Sequence, residues 1–138
     1  MISNINEYLY LADSDSKLDN NRIINEELSS DLISEIIKNY PERKSWIIHN
    51  KLIPVKILEE LVTDDNNDVR FTIAMKKKCN RVIFEKLLRD KNYSVRLAVI
   101  RNKKLPIDLL EKISNDINDE IHEDAKKILE MRIGDTSK

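Results

Sequence analysis

The stretch Asp90–Pro106, "DKNYSVRLAVIRNKKLP", repeats a phrase already present at Asp64–Asn80, "DDNNDVRFTIAMKKKCN". Each begins with Asp, carries Val-Arg at its sixth and seventh places and ends in a basic cluster. A step of 26 from Asp64 reaches Asp90 and then Asp116, and the same step takes Val69 to Val95 and Ile121. It takes Arg70 to Arg96 and His122, and Pro54 to Asn80 and Pro106. The apolar positions follow the same register: Ile57, Ile83 and Leu109; Leu58, Phe84 and Leu110; Leu61, Leu87 and Ile113. A fixed period in this range is the mark of an array of similar supersecondary units.

Within a unit the apolar residues fall at helical spacing. Val95, Ala98 and Val99, with Asn102, share one face, and Leu109, Leu110 and Ile113 form a second stripe. Pro106 separates the two, because the residue before a proline avoids helical geometry and proline suits a first helical turn. The spacing predicts helix pairs over 56–63 with 68–78, 82–89 with 94–103, and 107–114 with 119–132. Gly134 marks the expected end of the last helix. Upstream, "SWIIHNKLIP" from Ser45 matches "LAVIRNKKLP" from Leu97, and "DLISEIIKN" from Asp31 matches "DLLEKISND" from Asp108 with a one-residue slip. "NEYLYLA" reads as a short helix and "DSDSKLDNN" as a loop.

These features predict an all-α solenoid of short antiparallel helix pairs, about four repeats of period 26, with polar caps. The organisation expected is one helical-repeat domain over 1–138: an irregular N-terminal cap over 1–40, regular repeats over 41–118, and a capping helix and tail over 119–138. One Gly and three Pro in 138 residues also favour helices, since hairpin turns lean on Gly. The abundant Ile, Asn and Lys are the usage of an AT-rich, bacterial genome.

The segment Val95–Asp116, "VRLAVIRNKKLPIDLLEKISND", resembles the leucine-rich variant repeat. Its Val95, Arg96, Val99, Asn102, Pro106, Leu109, Leu110, Ile113 and Asp116 fall on that repeat's pattern without a gap. The chain is also similar to HEAT-like repeats, in which an Asp and an Arg six apart recur, as Asp64 with Arg70 and Asp90 with Arg96. The likeness covers about residues 41–131. It implies a stacked helical scaffold and a binding role. The iron–sulfur cluster of some leucine-rich variant proteins does not carry over to a chain with one cysteine.

The ladder Asp64, Arg70, Asp90, Arg96, Asp116 and His122 is read as structural. Each Asp is expected to cap a helix start and accept from an Arg at a loop-to-helix junction. Repetition suits a scaffold, whereas a catalytic site needs a singular constellation. His49 and His122 lack partners at metal-ligand spacing, Cys79 aligns with Ile53 and Leu105 as a small core residue, and "DDNND" lacks the Gly and distal Glu of a calcium loop. No enzyme activity, metal or other cofactor is expected.

Charge is unevenly spread about a net of −1. Residues 1–40 carry 3 basic and 8 acidic residues, and residues 63–115 carry 13 and 7. Lys51, Lys76, Lys77, Lys78, Arg81, Arg101, Lys103 and Lys104 are expected at helix C-termini and in the turns that follow, forming a positive ridge. Such cations complement helix dipoles, and they also suit an acidic partner or a phosphate backbone. Phe71 fits a core place or an interface anchor, and Trp46 a core place. The function expected is non-enzymatic binding of a charged protein, as an adaptor, inhibitor or toxin-neutralising immunity protein. The alternative is nucleic-acid backbone binding through the ridge, as in DNA-binding HEAT-like repeat proteins, although aromatics are only 5% of the chain. A cytoplasmic location without a membrane span is expected, since no stretch nears the ~18 apolar residues a span needs and the N-terminus lacks a signal pattern.

Overall fold

The computed structural model describes residues 1–136, and among these it is all-helical, with ten α-helices and no named strand. They are α1 (Ile5–Asp13), α2 (Lys17–Asn25), α3 (Ser30–Asn39), α4 (Lys44–Ile48), α5 (Val55–Leu61), α6 (Asn67–Ala74), α7 (Arg81–Leu87), α8 (Tyr93–Arg101), α9 (Ile107–Ser114) and α10 (His122–Thr136). A 3-10 turn, Pro41–Arg43, precedes α4. The chain divides into two compact units, Met1–Leu58 and the residues from Glu59 onward.

In the first unit, Asn4, Ser16 and Ser29 cap α1, α2 and α3 with side-chain oxygens that accept from first-turn N–H groups. The core gathers Ile2, Tyr8, Leu11, Ile33, Ile36, Ile47 and Ile48, each almost wholly excluded from water. The N-terminal residue pair is drawn in by backbone bonds, Ile2 N–H to the Glu27 carbonyl and Ser29 N–H to the Ile2 carbonyl, both 2.9 Å. The segment expected to be a loop is largely α2. Ser16 starts it, and the Asn20 amide donates to the carbonyls of Leu11 and Ser14, both at 3.0 Å. Only Ile23 of α2 is buried, so an apolar stripe was absent from the sequence.

In the second unit, α6 lies beside α8, α7 contacts both, and α10 packs on α8 and α9. Three helices start on an asparagine: Asn66, Asn80 and Asn92 cap α6, α7 and α8. The apolar register read from the sequence lies inside, with Val69, Ile73, Ile83, Phe84, Leu87, Val95, Val99, Leu105 and Leu110 buried. Burying a side chain such as Phe84 contributes roughly 1.5–3 kcal/mol. The helices α6 and α8 stop earlier than the spacing suggested, leaving Lys76–Lys78 and Lys103–Lys104 in turns. Conversely α10 runs through Gly134, which adopts no positive φ and has nothing within 4 Å of a would-be Cβ. A glycine there weakens the helix without ending it.

Trp46 is not a core residue. It is 45% exposed, with the Arg43 guanidinium 5.5 Å above its ring, and the buried places beside it go to Ile47 and Ile48.

The most informative buried polar residues are Asn50 and Asn102, which stand 52 positions apart. The Asn102 amide donates to the carbonyls of Ala74 (2.8 Å) and Lys76 (3.0 Å), and its oxygen accepts from Lys104 N–H (2.9 Å). The Asn50 amide likewise donates to the carbonyls of Ile23 (2.6 Å) and Glu26 (2.7 Å), and its oxygen accepts from Leu52 N–H (2.8 Å). Each asparagine ties the end of its own helix to the end of a helix two earlier. Replacing Asn102 by Ala leaves these backbone groups without it, at a cost of about 1–3 kcal/mol. The urea midpoint of Asn102→Ala should therefore fall clearly, while that of Arg101→Ala next to it should stay within the scatter of surface changes.

Candidate partner-binding groove and the Asp–Arg junctions

Asp64, Asp90 and Asp116 each accept from the N–H two residues on, those of Asn66 (3.0 Å), Asn92 (2.9 Å) and Asn118 (3.1 Å). These Asx turns aim the chain into the next helix. The cap itself belongs to the asparagine, whose side chain accepts from Asp68 N–H after Asn66 and from Val95 N–H after Asn92. The expectation that Asp caps the helix is corrected accordingly: Asp shapes the turn and Asn caps.

The arginines close the junction. Arg70 Nη1 donates to the Asp64 carbonyl and Arg96 Nη1 to the Asp90 carbonyl, both at 2.6 Å. Arg70 then forks onto the Asp90 carboxylate, Nε to Oδ2 at 2.7 Å and Nη2 to Oδ1 at 3.3 Å, and also donates to Asn67. This pair is nearly dry, with side chains 5% and 6% exposed. Arg96 does not repeat the fork. It forms a looser ion pair with Glu120 at 3.6 Å, and the position matching Asp90, Asp116, is exposed. His122 does not occupy the arginine place either; its Nε2 lies 3.0 Å from Glu123 Oε1. The third rung of the ladder is thus absent, because α10 starts at His122 rather than earlier in the unit.

The exposed sides of α6 and α8 enclose a groove of about 480 Å³ lined by Phe71, Met75, Leu97, Ala98 and Arg101, among others. Phe71 and Leu97 stand 26 apart, as do Met75 and Arg101. The groove is therefore built from equivalent places on two helices. Met75 and Leu97 were missed in the sequence, although the shared register of Phe71 and Leu97 was a signal for them.

The expected cations divide. Lys77, Arg101, Lys103 and Lys104 are exposed, at or just beyond the C-terminal ends of α6 and α8. Lys76 and Lys78 are half-buried, and partial burial together with the Lys78 charge pulls the Lys76 ammonium below its usual pKa. Lys51 is exposed in the first unit, where its N–H donates to the Ile24 carbonyl at 2.7 Å. Arg81 opens α7 instead, paired with Asp108 at 2.6 Å and Glu85 at 2.8 Å. That places its charge in a compensated network rather than on the turns.

His49 is exposed, and no group of three or more metal-ligating side chains occurs among the described residues. Among them no helix is long and apolar enough to cross a membrane. Cys79 is buried; its thiol donates to the Ile73 carbonyl at 3.0 Å, and burial pushes its pKa up to about 11. Comparison with known proteins found no matching family model, curated protein or solved structure.

Two outcomes follow from this geometry. Arg70→Ala strands the Asp90 charge and should cost about 3–5 kcal/mol, whereas Arg96→Ala should cost about 1–3 kcal/mol; equal losses in denaturant titrations would mean that both arginines are engaged alike. Cys79 should resist thiol reagents at pH 8 in the native protein and react quickly only in denaturant, since the thiolate is the reacting form.

Proposed function

We propose that this chain is a non-enzymatic binding scaffold of helical-repeat type, and that it takes an acidic protein segment in the α6/α8 groove. The observation that carries this reading is the pairing of exposed Phe71 and Met75 with Leu97 in a groove whose rim holds Arg101. Exposed Lys77, Lys103 and Lys104 follow at the same helix ends. An apolar depression bordered by one sign of charge suits a partner with an apolar anchor and flanking carboxylates. An adaptor, an inhibitor and an immunity protein that neutralises a toxin all work by such capture.

The repeat reading draws support from bonds that recur at a spacing of 26: the Asx turns at Asp64, Asp90 and Asp116, and the arginine-to-carbonyl bonds of Arg70 and Arg96. The asparagine ties of Asn50 and Asn102 recur at twice that spacing. Stacked units of this kind offer extended binding surfaces without any catalytic residue. Nucleic-acid backbone binding draws support from the exposed lysines alone. Against it, Arg81 is neutralised, and the turns 76–79 and 102–105 that carry those lysines hold no aromatic residue on which a base could stack.

A photo-crosslinking residue placed at Met75 should capture a discrete acidic protein in the native host. Purified, that protein should bind the wild type and lose at least tenfold in affinity to Phe71→Ser, on the order of one interface hot spot. Binding that survives Phe71→Ser and Arg101→Glu unchanged would remove the groove from the reading. A low-salt mobility shift of duplex DNA that is abolished by Lys77→Glu with Lys103→Glu would instead favour the nucleic-acid alternative.

A further inference from the structure

A second concavity of the same unit, about 640 Å³, shares no lining residue with the groove. Its walls include Arg89, Asp90, Arg96, Lys112, Asp119 and Glu120. Arg96 is the residue of interest. Its side chain is only 14% exposed, its Nη1 is fixed on the Asp90 carbonyl, and its guanidinium lies 5.9 Å from the Tyr93 ring centroid. Tyr93 is held in turn by a 3.1 Å bond from its hydroxyl to Asp124.

The same arrangement at Arg70 shows what the remaining edge of the guanidinium does when a carboxylate is present. There Nε and Nη2 grip both oxygens of Asp90. At Arg96 the corresponding edge makes no hydrogen bond to a carboxylate among the described residues. Asp116, one period beyond Asp90, is exposed and engaged with Asn118 N–H. Glu120 stands at 3.6 Å, beyond hydrogen-bond contact, and is 74% exposed. A preorganised, largely desolvated fork is the arrangement that recognises a planar carboxylate in two-point fashion.

The other charges of the cleft are sorted by pairing. Arg81 holds Asp108 and Glu85, and Arg70 holds Asp90. Arg89, Arg96 and Lys112 line the cleft together with Asp116, Asp119 and Glu120. Asp119 is engaged in a turn with Ile121 N–H at 3.0 Å. Of these carboxylates Glu120 alone forms an ion pair with the fork, and its long exposed side chain can leave at little cost.

We propose that Arg96 is the primary anchor of a carboxylate-binding site in this cleft, with Lys112 and Arg89 receiving a second acidic group of the same ligand. The incoming carboxylate takes the place that Asp90 holds at Arg70, and Glu120 yields to it. A cleft of this volume lies within the usual range for small ligands. A small dicarboxylate and a pair of acidic side chains on a peptide present the same acceptor atoms to the fork. The site stands whether or not the groove binds a protein.

The test uses the full chain labelled with nitrogen-15 and follows the arginine Nε–H resonances. Succinate and an acetylated Glu-Glu amide are titrated separately against sodium chloride and sodium sulfate at matched ionic strength. The expected result is a saturable shift of the Arg96 Nε–H signal with at least one carboxylate probe, and no movement at Arg70. Succinate alone would identify a small-molecule ligand, and the peptide alone a protein one. Glu120→Gln should tighten binding several-fold, and Arg96→Lys, which keeps the charge but not the fork, should weaken it at least tenfold by the Lys112 backbone amide. An Arg96 signal that stays put in both wild type and Glu120→Gln would overturn the proposal. So would equal shifts with chloride or sulfate, or undiminished binding by Arg96→Lys.

Discussion

Helix ends govern this structure. Apart from α10 the helices are five to ten residues long, shorter than the length at which an isolated helix holds in water. Each end also leaves N–H groups and carbonyls that the helix cannot pair internally. A chain with so many ends must satisfy them with side chains or fail to bury its apolar faces. Here the task falls to Asn and Ser at the starts, to the Asp64 and Asp90 turns leading in, and to Asn50 and Asn102 at the finishes. Arg70 completes the set at the most enclosed junction, where a carbonyl, an amide oxygen and a carboxylate surround one guanidinium.

That constraint gives the asparagine content a physical meaning alongside any genomic bias. Asn has both a donor and an acceptor on a short arm, so it can cap a helix or join two carbonyls and an N–H at one point. Aspartate could replace it at a cap but not at Asn102, where the amide must donate twice. A buried network of this sort fixes register because every member is satisfied.

The helical class and the apolar register were legible in the sequence because burial imposes period on Val95, Val99, Leu110 and their counterparts. What escaped was set by polar contacts that leave no period. Helix α2 shows one apolar residue to its neighbours and is held by the amide of Asn20, so its composition reads as loop. Trp46 looked like core because it aligns with Ala98, yet a side chain of that size has no room where an alanine fits, and Ile47 and Ile48 fill the interior instead. The division of labour between Asp and Asn at each junction was hidden for a different reason. Both residues recur with the same period, and only geometry tells the turn former from the cap.

Periodicity also bears on where function can reside. A position that recurs with the period makes like contacts in its copies, as Arg70 and Arg96 do with the carbonyls of Asp64 and Asp90, so singular features arise where one copy departs from the others. In the groove the departure is at Arg101, which replaces the methionine of the earlier copy and puts a cation at the edge of a mostly apolar surface. At the cleft it is the missing carboxylate of the last rung, produced by the later start of α10 and the outward turn of Asp116. The first departure adds a charge to an exposed apolar strip, and the second withholds a charge from a guanidinium already positioned for one. Each departure sets a charged group apart from the contacts its counterpart makes, and a ligand that engages such a group stabilises the folded chain by binding.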